Sequence, residues 1–98
     1  ELREYLSDVI EDLEGPIYLS LDMDAIDPAF APGVGTPEPL GMTPYEVIQT
    51  INFFSDRIVG FDCVEVCPPH DNGNTSALAA RLIRHLVGAV WQSQQRFK

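Results

Sequence analysis

Ile17-Tyr18-Leu19-Ser20-Leu21, running straight into Asp22-Met23-Asp24-Ala25-Ile26-Asp27-Pro28, is the stretch whose reading decides the fold. Ile17 to Leu21 is short and nearly continuously apolar, the pattern of a parallel strand covered on both faces. Three carboxylates, Asp22, Asp24 and Asp27, then fall within six residues. In parallel α/β sheets the rim beyond the carboxyl ends of the strands is where ligands bind. An acid cluster at that rim therefore marks a candidate site as well as a strand end.

Upstream, Leu2, Tyr5, Leu6, Val9, Ile10 and Leu13 keep helical spacing, and Gly15-Pro16 is a helix stop. Downstream, residues 22–43 hold four prolines and three glycines and read as one long aperiodic loop, which in a compact domain is usually functional. Thr43, Pro44 and Glu46 then supply an N-cap, a proline at the first helical position and a capping-box acid. Val47, Ile48, Ile51 and Phe54 form the apolar face of that helix. Ile58 to Val66 reads as a second strand ended by Pro68-Pro69, and residues 69–75 as polar loop. Ser76 to about Trp91 is a long amphipathic helix, with Leu78, Leu82, Ile83, Leu86, Val87 and Val90 predicted to face inward. Strands separated by a helix predict a right-handed βαβ unit with a parallel sheet. Two strands make no stable sheet alone, so the expectation is an α/β fold forming the edge portion of a larger three-layer α/β/α domain. The sequence opens at Glu1, without a methionine and already inside a helical pattern, which predicts a piece of a longer protein.

Fifteen Asp plus Glu against six Lys plus Arg give a net charge of −9. Such a chain is repelled by nucleic acid and by anionic membranes, and it has neither a basic cluster nor an apolar run of the roughly 20 residues a membrane span needs. The excess acid suits a cationic ligand or a metal, although solubility alone also explains it. Cys63 and Cys67 lack the further ligands of a zinc site. Two thiols without a disulfide framework predict a reducing, cytoplasmic setting.

Asp22 and Asp24 are two residues apart, so in extended backbone they project to the same side, roughly 6–7 Å apart along the chain. Converging like charges need protonation or a cation, and oxygen ligands favour Mg, Ca or Mn. Turn and helix capping by the same residues is the plainer alternative. An EF-hand starting at Asp22 fails because Ile26 and Asp27 stand where an oxygen ligand and a glycine are required. A phosphatase that uses its first Asp as nucleophile lacks its downstream lysine, the only Lys being Lys98. Nothing supports a nucleotide-sugar site. Asp27, before Pro28, suits a turn or a supporting role better than a ligand. Glu65, between Val64 and Val66, is out of place for packing, because Glu is almost never buried unpaired. It pairs either structurally with a residue elsewhere or with a guanidinium or ammonium at the same rim.

Ser20-x-Asp22-x-Asp24-x-x-Asp27-Pro28, then Ala31-Pro32-Gly33 and Gly35-Thr36-Pro37-Glu38-Pro39, resembles a signature of the arginase/agmatinase ureohydrolase family. Val64-Glu65-Val66, Pro68-Pro69 and Gly73-Asn74-Thr75 before an Ala-rich helix agree with it, so the likeness runs from about Ile17 to Val90. It implies that residues 1–98 are the C-terminal fragment of a single ureohydrolase domain of arginase-like fold. The implied whole is a trimer or hexamer that hydrolyses a small cationic guanidino compound to urea and an amine at two manganese ions (Mn2+). By the same resemblance Asp22 and Asp24 are metal ligands, Glu65 and Thr36 contact the substrate, and Asp27 supports the pocket from behind. Thr36-Pro37-Glu38-Pro39 looks more like an agmatinase than an arginase. Leu40 and Met42 depart from the commonest agmatinase pattern, which leaves arginase, guanidinobutyrase and a non-catalytic module with this fold as alternatives. The family's Gly-Gly-Asp-His and Asp-Ala-His-x-Asp motifs do not occur in this chain. His70, beside Pro69, is expected as a plain loop residue and His85 on the solvent side of the last helix.

Overall fold

The computed structural model describes residues 1–95. Its elements are α1 (Leu2–Glu11), β1 (Ile17–Asp22), α2 (Pro44–Phe54), β2 (Ile58–Val64) and α3 (Asn74–Gln95), with single 3-10 turns at Met23–Ala25 and Pro68–His70. β1 and β2 pair in parallel, Leu19 opposite Phe61, Leu21 opposite Cys63 and Asp22 opposite Val64. The expected mixed α/β unit with parallel strands is the architecture observed.

Each element follows from local chemistry. Pro44 and the reciprocal bonds of Thr43 and Glu46 start α2: Glu46 N–H donates to Thr43 Oγ1 (3.2 Å) and Thr43 N–H to Glu46 Oε1 (2.9 Å). Val47, Ile51 and Phe54 bury one face of α2. Thr75, Ala79, Leu82, Leu86 and Ser93 make the buried line of α3. Ser93 Oγ closes the packed pair by donating to Ser55 O at the end of α2 (3.1 Å). The core continues through Leu21, Met23, Ile26, Ala31 and Val34, so the long loop is tucked in by its own apolar residues.

Several boundaries and faces differ from the sequence reading. α1 ends at Glu11, not at Gly15, and Leu13 is exposed. Gly15 (φ 76) belongs to a separate turn gripped by Arg57, whose guanidinium donates to Leu13 O and Gly15 O. β2 stops at Val64 because Glu65 takes a left-handed conformation (φ 68) that leaves the ladder. α3 is longer than expected at both ends, and Val87 points outward with 53% of its surface exposed. One residue along a helix is a turn of about 100°, enough to take Val87 off the stripe that buries Leu86. His85 does not simply face solvent: it is half-buried, and Nε2 donates to Asn52 Oδ1 (2.8 Å), joining α3 to α2. β1 is not covered on both faces. Leu19 and Leu21 turn toward the core, while Tyr18, Ser20 and Asp22 lie on a face left open, Tyr18 being 63% exposed. Tyr18 OH and Ser20 Oγ both donate to Asp62 on the neighbouring strand (3.0 and 2.7 Å), giving that face a polar lattice. The bond to Asp62 raises the Tyr18 pKa above its ordinary value, because ionisation would remove the proton that is shared.

The long segment 22–43 is more ordered than a plain loop. Ile26 and Met42 form an isolated parallel bridge, with Asp27 N–H donating to Met42 O (2.9 Å) and Met42 N–H to Ala25 O (2.8 Å). Gly41 permits this approach, since a Cβ there would lie 2.7 Å from Asp27 N and 2.8 Å from Ala25 O.

Candidate metal and substrate site

Asp22 is the last residue of β1 and sits opposite Val64, the last of β2, so Asp22, Asp24 and Glu65 all lie at one carboxyl-end rim. Expected projection of Asp22 and Asp24 from extended backbone does not hold. The chain enters a 3-10 turn at Met23, and Asp22 Oδ1 accepts the Asp24 N–H (2.8 Å) as the cap of that turn. Asp22 is exposed and Asp24 half-buried. Asp24 Oδ1 is fully buried and has no hydrogen-bond partner. A buried acceptor left unpaired is destabilising by about 1–3 kcal/mol, more when charged, and a cation on that oxygen would remove the penalty.

That orphaned oxygen, with Asp22 beside it, fits a hard divalent cation such as manganese. Among the described residues, however, no three His, Cys, Asp or Glu side chains gather as a metal-holding group. Asp22 and Asp24 alone do not make such a group.

Glu65 is exposed, and its Oε2 lies 3.8 Å from where a Cβ on Gly35 would stand. Thr36, also exposed, is the next residue. The second strand end and the long loop thus meet at Glu65, Gly35 and Thr36. A non-glycine residue at φ 68 is strained by about 1–3 kcal/mol and is kept there by its surroundings.

Asp27 does more than make a simple turn. Its Oδ1 accepts Ala29 N–H (2.9 Å), and its Oδ2 accepts Leu40 N–H (3.0 Å) and Gly41 N–H (3.2 Å). This carboxylate closes the loop on itself and carries Leu40, which has φ 66 and is 97% exposed. His70 is exposed, with Nδ1 2.7 Å from Val34 O, so its ring fastens the loop. Cys63 and Cys67 are free thiols. Burial pushes the Cys63 thiol above its usual pKa, with Asp62 and Asp22 adding to the shift, so its reactive thiolate is disfavoured.

The sequence reading gave no role to Asp71 and quoted Thr75 only within Gly73-Asn74-Thr75, yet the two are a densely bonded pair. Asp71 Oδ2 accepts Thr75 N–H (2.9 Å) and Thr75 Oγ1–H (2.6 Å), while Oδ1 accepts Gly73 N–H (3.0 Å). These donors, the Thr75 hydroxyl first, hold the Asp71 pKa below the ordinary carboxylate value. The available signal was an acid followed within four residues by Gly-Asn-Thr and then a helix, the pattern of a capped helix start.

The model of the Arginase family matches residues 1–88. The chain belongs to the arginase family. It is 48% identical over 77 residues to human guanidino acid hydrolase, mitochondrial, covering 76% of this chain and 22% of that protein. It is 45% identical over 89 residues to chicken agmatinase, mitochondrial, covering 89% of this chain and 24% of that protein. Among solved structures, the agmatine ureohydrolase of Thermoplasma volcanium superposes with a TM-score of 0.89 at 42% identity, covering 97% of this chain and 32% of that one. The fold is therefore that of arginase-family enzymes, and the chain spans about a quarter of the length of the two curated relatives. No helix among the described residues is long and apolar enough to cross a membrane.

Proposed function

We propose that this arginase-family chain is the C-terminal portion of a single-domain, manganese-dependent guanidino hydrolase that releases urea, with agmatine as its substrate and putrescine as the amine product. The observation that carries the reading is the shared rim: Asp22, Asp24 and Glu65 all follow or end strands at the same edge of the parallel pair, and Asp24 Oδ1 is buried there without a partner. In this reading Asp22 and Asp24 hold manganese and the remaining ligands come from outside the chain. Manganese held there would supply an activated water and stabilise developing charge. Glu65 accepts hydrogen bonds from the guanidinium and orients its carbon, a charge-assisted pairing stronger than a neutral one. Thr36 contacts the substrate from the long loop, and Asp27 keeps that loop in shape. The whole protein would be a cytoplasmic homo-oligomer, trimer or hexamer, that binds neither nucleic acid nor membrane. Two free thiols and the acidic balance suit that setting.

A second reading, hydrolysis of a guanidino acid, is favoured by the human relative and by a guanidinobutyrase of Pseudomonas aeruginosa that is 48% identical over 75 residues. The two substrates differ in the tail, an ammonium in agmatine and a carboxylate in a guanidino acid. Urea release by the intact gene product from agmatine, arginine and 4-guanidinobutyrate, with manganese added and removed, decides between them. The highest kcat/KM is expected for agmatine and only with manganese. Preference for 4-guanidinobutyrate selects the second reading, and absence of urea from every guanidino compound sinks both.

A further inference from the structure

Behind Glu65 a line of hydrogen bonds crosses from α3 to the long loop and back to the strand end. Thr75 is completely buried (0% exposed) at the start of α3. Its hydroxyl donates to Asp71 Oδ2 (2.6 Å), which leaves a lone pair to accept the Gly33 N–H (2.7 Å). Gly33 O in turn accepts the Cys67 N–H (2.7 Å), two residues beyond Glu65. Gly33 can be nothing larger, because a Cβ there would fall 2.6 Å from Asp71 Cγ and 2.7 Å from both carboxylate oxygens. The same glycine stands two residues before Gly35, which lies under the Glu65 carboxylate. One anchored peptide therefore ties the strand end that carries Glu65 to the loop that carries Gly35 and Thr36.

We infer that Thr75 and Asp71 are positioning residues that act through Gly33 to hold Glu65 in its left-handed conformation and at its distance from Gly35-Thr36. The inference rests on the role proposed for Glu65 above. A left-handed glutamate needs external restraint, and the Cys67–Gly33 bond is the first backbone restraint after it. Asp71 fixes which way the Thr75 proton points. Without that, the hydroxyl could turn its hydrogen toward Gly33 and lose the bond that anchors the loop.

The test is a mutant cycle in the intact gene product, with its preferred guanidino substrate. Thr75→Val keeps the shape and removes the hydroxyl, and it is expected to lower kcat/KM by about 10- to 100-fold, as small misplacements of orienting groups do, with manganese content unchanged. Thr75→Ser restores the hydroxyl and is expected to recover most of that loss. Added to Glu65→Gln, Thr75→Val should lower the rate by no more than about twofold, because residues acting through one another are not additive. If Glu65→Gln is impaired but Thr75→Val multiplies the loss in full, or lowers Tm without changing kcat/KM, the positioning role is overturned while the role of Glu65 stands. If Glu65→Gln is fully active, both are overturned. Should Thr75→Val not fold, Asp71→Leu replaces it in the same cycle, since it removes the acceptor that orients the Thr75 hydroxyl.

Discussion

Asp22 and Glu65 stand at the same strand ends, yet charge removal should affect them differently. Asp22 shares its turn with the unpartnered oxygen of Asp24, so Asp22→Asn takes charge away where cations would gather. It is expected to lower both manganese occupancy and rate in the intact gene product. Glu65→Gln keeps the side chain's shape above Gly35 but gives up the charge-assisted bond to the guanidinium that is proposed for it. It is expected to keep manganese while the rate falls roughly 30- to 1000-fold, equivalent to about 2–4 kcal/mol. Elemental analysis beside steady-state kinetics checks the pair. Loss of metal from Glu65→Gln with full occupancy in Asp22→Asn would reverse the two roles.

At the scale of elements, Asp71 is the piece that starts α3 and ties it to the loop. Its carboxylate takes the Gly73 and Thr75 N–H groups at the positive end of that helix. A carboxylate whose folded pKa lies below its unfolded value contributes stability that is present above the unfolded value and lost as pH falls through the folded one. Wild-type chain should therefore exceed Asp71→Asn in denaturation midpoint by a constant margin at neutral and mildly acidic pH. The margin should shrink once pH drops below the ordinary value of 3.8, as urea titrations at a series of pH values would show. A margin that grew on acidification would mean that the carboxylate is not held ionised by these donors. The legibility of elements in the sequence follows the range of the forces that form them. The α2 start was readable because Thr43, Pro44 and Glu46 settle it within four residues. The end of β1 was readable because Ile17 to Leu21 is a nearly continuous apolar run that stops at Asp22. The halt of β2 at Val64, the true turn beneath Arg57 and the Asp71–Thr75–Gly33 line were not. Each depends on a partner far along the chain, 42 residues away for both the Gly33–Thr75 and the Gly15–Arg57 bonds, and spacing rules see only neighbours.

At the scale of the whole molecule, the sheet face bearing Tyr18, Ser20 and Asp22 is open, and the two-stranded sheet has no third strand on either edge among the described residues. Val59, Val87 and Trp91 add exposed apolar surface around β2 and α3. A chain that spans about a quarter of its relatives' length and is left so open brings to the rim what it encodes itself: two aspartates, a glutamate and, among the described residues, no imidazole in a metal-holding group. Guanidine hydrolysis needs a nucleophile stronger than neutral water, and two carboxylates alone neither lower the pKa of water nor fix it against a guanidinium carbon. The 98-residue chain by itself is therefore expected to release no urea from agmatine, arginine or 4-guanidinobutyrate, with or without manganese. The intact gene product, carrying the same Asp22, Asp24 and Glu65, is expected to do so with manganese. Colorimetric urea measurement on purified chain, with Asp22→Asn as the control for contaminating host enzyme, distinguishes the outcomes. Turnover by the chain that needs manganese and disappears in Asp22→Asn would show that these residues assemble a sufficient site, and the division of ligands proposed here would be wrong.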